Sequence, residues 1–100
     1  MVNIQGIINT NFLVVDQLTV ELTNIEIEIE NIIREHTKEN FKQFLFYSTS
    51  PEGLQQAETQ IVGLKEKIDQ LINLKKKIEK IWNRIEALTA KVYGSPNNIN

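Results

Sequence analysis

Apolar residues in the second half of the chain recur at alternating steps of three and four: Leu54, Ala57, Ile61, Leu64, Ile68, Leu71, then Leu74, Ile78, Ile81, Ile85, Leu88 and Val92. That spacing puts them on one face of an α-helix and leaves the polar and charged residues for the other faces. The one irregularity is the three-residue step from Leu71 to Leu74, a stammer that overwinds a supercoil locally. At about 1.5 Å per residue the predicted helix runs roughly 60 Å, far longer than an ordinary globular helix.

A second seam of the same kind occupies the first half: Phe12, Val15, Leu18, Leu22, Ile25, Ile29, Ile32 and His36. A strand signal competes with it, because Ile25, Ile27 and Ile29 alternate with Glu26, Glu28 and Glu30. A strand would leave Leu18, Leu22 and Ile32 without a common face, whereas a helix accounts for the whole series. Beyond His36 the apolar positions shift to Phe41, Phe44 and Leu45, so a phase slip or slight bend is expected near Thr37 to Asn40.

The elements are bounded by local chemistry. In Ser48-Thr49-Ser50-Pro51-Glu52-Gly53, Ser50 can cap a helix, Pro51 suits its first position, and Glu52 places a negative charge at the positive end of the helix dipole. Gly94 and Pro96 end the second helix. The pattern therefore predicts helices over 12–47 and 52–93, a turn at 48–51, and a loose tail over 94–100. Residues 1–11 show no helical period, and Gly6 interrupts them. They read as a frayed terminus or, alternatively, as an extended arm whose Ile4, Ile7 and Ile8 lie against a neighbouring subunit or a sheet edge, with Thr10 or Asn11 capping the first helix.

Two long helices joined by a short turn make an all-α, antiparallel coiled-coil hairpin. With the turn near Ser50, facing residues have numbers summing to about 100: Val15 with Ile85, Ile29 with Leu71, Ile32 with Ile68, His36 with Leu64. Charge follows the same arrangement, with the first helix at net -4 and the second at net +2. Opposite signs then face each other at Asp16 and Arg84, Arg34 and Glu66, Glu35 and Lys65, and Lys42 and Glu58.

A single hairpin leaves much apolar surface uncovered, and small cores rarely suffice alone. Val20, Ile27, Ile33, Val62, Ile72 and Trp82 lie off the seams, and Phe41, Phe44, Phe46 and Tyr47 crowd four aromatics next to the turn. Such patches usually mark contact sites. The residues expected to meet a protein partner are Ile4, Ile7, Ile8, Phe41, Phe44, Phe46, Tyr47 and Trp82, in a hairpin that self-associates or packs into a larger helical bundle.

Composition narrows the function. The chain has 100 residues, 41% of them hydrophobic and 24% charged, which suits one globular domain. A net charge of -2 gives no general affinity for nucleic acid or anionic membranes. There is no cysteine and one histidine, so neither a zinc site nor a cofactor is expected. His36 on a seam is read as a register-fixing polar residue or a pH-sensitive contact. Ser48 and Ser50 serve the turn rather than nucleophilic chemistry, and the four glycines stand alone and build no phosphate loop. Lys75, Lys76, Lys77, Lys80 and Arg84 form the one basic cluster, expected to face the acidic stretch Glu21 to Glu30 rather than phosphates. No segment reads as a signal peptide or a membrane span, which points to the cytoplasm or a larger protein assembly.

The expectation is therefore a non-enzymatic structural or assembly subunit, in a setting such as a virion or a secretion apparatus. An adaptor or chaperone-like module docking a client through the aromatic tip is the alternative. Nucleic-acid binding through Lys75 to Arg84 stands third.

Overall fold

The three-four rhythm of the first seam runs further back than Phe12. In the computed structural model, which describes residues 3–94, helix α1 spans Ile4–Thr37. Ile4, Ile8 and Asn11 extend the seam of Val15, Leu18 and Leu22 toward the N-terminus, and Ile8 is buried with Val15 and Ile85. The expected extended arm is thus the first turns of α1. Asn3 rather than Thr10 or Asn11 caps it, its Oδ1 accepting from the Gly6 amide at 3.0 Å. Asn9, Thr10 and Asn11 look like loop residues in sequence, but packing of the isoleucine stripe outweighs their weak helix propensity. Val2 and the tail beyond Gly94, Pro96 included, lie outside the described residues.

The chain continues through α2 (Phe41–Thr49), α3 (Pro51–Gln60) and α4 (Leu64–Tyr93). Long antiparallel packing of α1 on α4 makes the body, and the molecule is 58 Å along its longest axis. The fold is all-α and its main feature is a helical hairpin, as the two seams require. Both long helices are shorter at the closed end than expected, because residues 41–60 form a small α2–α3 hairpin there.

Each break has a local cause. The expected bend at Thr37 to Asn40 is a tight turn: the Asn40 amide bonds the Thr37 carbonyl at 3.0 Å, and Lys38 sits at φ 49°, ψ -116°. Those angles belong to the first central position of a type II′ turn, which glycine normally fills. Lys38→Gly should therefore stabilise the fold by about 1 kcal/mol, the lower end of the cost of such a backbone conformation. A raised urea midpoint by circular dichroism would show it, and an unchanged one would mean the turn carries no strain.

The second break, at Ile61–Gly63, has no counterpart in the apolar pattern. Gly63 has φ 85° and Ile61 is extended, so the chain turns between α3 and α4 while both Ile61 and Leu64 stay buried. The apolar rhythm is preserved across the break and hides it. Val62, fully exposed between them, is the visible trace. The start of α3 is as expected: the Ser50 hydroxyl accepts from the Gly53 amide and Pro51 occupies the first turn. Glu52 hydrogen-bonds its own backbone and the Ser50 hydroxyl, which holds its carboxyl below the usual carboxylate range. At the far end Gly94, at φ 82°, closes α4.

The register is close to the expected one: Val15 with Ile85, Ile29 with Leu71, and Ile32 with Ile68 each share a cluster. Gln5 bonds Tyr93, Glu28 pairs with Lys67, and Ile33 packs in one cluster with Leu64, so facing numbers sum to a few less than one hundred. The long hairpin closes between Thr37 and Leu64, with α2 and α3 inserted between them. None of the four expected cross-hairpin charge pairs forms among the described residues. The ion pairs present are Glu28 with Lys67 at 2.6 Å across the hairpin, and Glu30 with Arg34 and Lys65 with Asp69 along single helices. His36 is exposed and faces the Tyr47 ring at 6.3 Å, off the seam.

Two core clusters result. At the closed end Ile29, Ile33, Tyr47, Ala57, Ile61, Leu64 and Ile68 join all four helices. At the open end Ile8, Val15 and Ile85 join α1 to α4.

Candidate protein-interaction surfaces

The residues expected at contacts divide into two groups. Ile8 and Tyr47 are buried, and Ile4 and Phe44 pack against the two core clusters, so these four serve the fold. The Tyr47 hydroxyl accepts from Gln43 at 3.2 Å and donates to Gln60 at 2.7 Å, which ties α2 to α3. Phe44 is further covered by the Arg34 guanidinium, 5.3 Å from its ring centroid. The other four are exposed: Ile7, Phe41, Phe46 and Trp82. Trp82 meets Phe12 edge-on, centroids 5.6 Å apart, and so widens one side of the α1–α4 seam while keeping an exposed face. The aromatic tip is thus half core, and its exposed aromatic residues are Phe41 and Phe46.

A groove of about 450 Å³ opens where α1 meets the α2–α3 hairpin. Its floor is apolar, with Ile33, Leu45, Leu54 and Leu71 among the lining residues, and Glu26, Glu30, Ser48 and Thr49 supply its polar atoms. The groove is a joint between elements, and its apolar residues overlap the closed-end core.

The most regular exposed feature emerges only with the inner face of α1 fixed. Leu13, Val20 and Ile27 recur every seven residues on α1, and their exposures are 64%, 61% and 50%. Each precedes a seam residue, Val15, Leu22 or Ile29, by two positions, about 200° around the helix, so the three form a row on the back of α1, away from α4. Thr10, Gln17, Asn24 and Asn31 fall between and beyond them at steps of three and four, without a charge. The back of α1 therefore carries a second heptad seam, in which apolar and uncharged polar residues alternate from Thr10 to Asn31. Val20 and Ile27 stand out in the sequence as surplus; the seven-residue spacing that adds Leu13 is the signal that joins them.

Charge frames this row. Asp16 and Glu30 border it on one side, and Glu21 and Glu28 on the other, whereas Ile4 to Val15 carries no charged residue. The basic cluster Lys75, Lys76, Lys77, Lys80 and Arg84 makes no ion pair among the described residues, although Lys77 and Glu21 line one shallow groove between α4 and α1. Lys67 reaches Glu28 of the acidic stretch Glu21 to Glu30 across the hairpin, and Arg34 reaches Glu30 along α1.

Among the described residues no group of three His, Asp or Glu side chains is placed to hold a metal ion, and no helix is long and apolar enough to cross a membrane. No protein-family model, curated protein or solved structure matches the chain.

Proposed function

We propose that the chain is a non-enzymatic assembly subunit that acts through helix–helix contacts and presents the back of α1 to another helix. The observation that carries this reading is the row of Leu13, Val20 and Ile27, half or more exposed on a helix whose opposite face is already packed on α4. A surface helix of a self-sufficient hairpin would be polar on its back. Burying one aliphatic side chain fully is worth about 1.5–3 kcal/mol, so three in a row supply a strong driving force for association. α1 is already held helical by its packing on α4, and a partner helix therefore docks without first ordering it. The inward packing of Phe44 and Tyr47 favours this face over the aromatic tip as the principal contact.

The test is site-specific photocrosslinking in the setting where the chain is naturally made. A photoreactive residue at Val20 should give an adduct of higher mass, while one at Glu79, a charged exposed position on α4, should not. Adducts from Glu79 and none from Val20 would overturn the proposal.

A further inference from the structure

We infer that the helix docking on the back of α1 is the same face of α1 from a second copy, antiparallel and centred near Val20. This deepens the reading above and rests on it. The charge distribution along α1 selects the occupant. All seven charged residues of α1 lie between Asp16 and Glu35, six of them acidic, and Ile4 to Val15 has none. Antiparallel pairing about Val20 sets Glu26, Glu28, Glu30 and Glu35 of each copy against the uncharged Gln5 to Val14 of the other, and leaves only Asp16 and Glu21 of the two copies in the overlap. Leu13 of one then approaches Ile27 of its partner, and the two Val20 side chains meet on the axis. The contact is self-complementary, as two-fold symmetry requires.

Two other arrangements of a second copy fit less well. Parallel pairing stacks Asp16, Glu21, Glu28 and Glu30 against their own counterparts, and like charges so placed oppose association. Docking α1 on the outer face of α4 brings opposite charges together, but Lys76 and Lys80 follow Ile72 there and leave no row of apolar residues to receive Leu13, Val20 and Ile27. Gln17 and Asn24 share the seam with the apolar three, and polar residues at such positions favour one register at a cost in stability.

The sequence has no cysteine, so single-cysteine variants report the geometry directly. Under mild oxidation V20C should form disulfide-linked dimers, and an equimolar mixture of L13C and I27C should form the mixed dimer. L13C alone should form none, because antiparallel pairing separates its two copies by about 21 Å, against the roughly 6 Å between Cα atoms that a disulfide spans. Light scattering on the wild type should approach twice 11.6 kDa as concentration rises, and salt should not weaken the association. Circular dichroism of each variant checks that the fold is kept. L13C dimers as abundant as V20C dimers would mean parallel pairing and overturn the inference. So would association that falls steeply with salt and gives no V20C dimer, the signature of α1 on α4. A constant 11.6 kDa at every concentration would also overturn it, while crosslinks from Val20 in the natural setting would leave the assembly role standing with a different partner.

Discussion

Replacing Gly53 with alanine should destabilise the molecule by more than its one added methyl group suggests. Gly53 lies in the first turn of α3, is buried, and needs no unusual backbone angle. What it provides is closeness: an added Cβ would stand 1.8 Å from the Phe46 carbonyl oxygen and 2.5 Å from its carbon. Those are backbone atoms of α2, so no side-chain rotation relieves the clash, and α2 and α3 must move apart. Overpacking in a filled interior typically costs about 1–3 kcal/mol, and a backbone clash belongs at the upper end or beyond. For a chain of this size that lowers Tm by on the order of 10 °C. Helicity at low temperature should fall as well, because the nine residues of α2 and ten of α3 hold each other in place. Gly6 is the internal comparison. An added Cβ there meets only the Asn3 side-chain amide, at 2.9 Å, which can rotate away. Gly6→Ala should change stability by less than about 1 kcal/mol, since the helix preference for alanine offsets the disturbed cap. Equal midpoints for the two variants would mean that α2 and α3 are not closely apposed.

The contrast between these glycines shows which features a linear pattern carries. The seams carry the pairing of α1 with α4, because burial of Val15, Leu18, Ile29, Ile68 and Ile85 is a matter of helical period alone. Ser50 and Pro51 carry the start of α3, because capping is chemistry between neighbours. The break before α4 stays hidden, because extended Ile61 and left-handed Gly63 turn the chain without removing an apolar residue from the core. The place of the turn at Lys38 shows in the phase slip between Thr37 and Asn40, but its tightness does not, since the residue type that marks such a turn is absent. Close approach at Gly53 depends on where α2 sits, which no local pattern specifies. Exposure of the apolar residues is partly legible. Ile7, Phe41, Phe46 and Trp82 are exposed, while Ile8 and Tyr47 belong to the core because α1 begins at Ile4 and α2 folds back on α3. Leu13, Val20 and Ile27 are readable in principle. Their seven-residue spacing becomes meaningful only after the inner face of α1 is fixed, because the same period serves any face of a helix.

Leu64→Ala should be the most damaging of the ordinary core truncations. Leu64 opens α4 and is fully buried in a cluster with Ile33 of α1, Tyr47 of α2, Ala57 of α3 and Ile61 of the connection. It is the residue through which the small α2–α3 hairpin and the long α1–α4 hairpin share one core. Removing three carbons there loses transfer free energy and leaves a cavity that four rigid helices fill poorly, about 2–5 kcal/mol in comparable buried sites. The effect should also change the shape of unfolding. With Leu64 intact the two hairpins melt together, whereas in the variant α2 and α3 should loosen first, seen as early loss of amide protection over residues 41–60 while residues 8–29 stay protected. The paired control is Leu13→Ala, which removes the same atoms from the same residue type at a largely exposed position on the back of α1. Its effect on monomer stability should stay within about 0.5 kcal/mol. Association should weaken in that variant and persist in Leu64→Ala wherever the latter remains folded, because α1 keeps its outer face. A large stability loss from Leu13→Ala in the monomer would mean that the back of α1 is covered within the chain itself, and the assembly surface would have to be sought elsewhere.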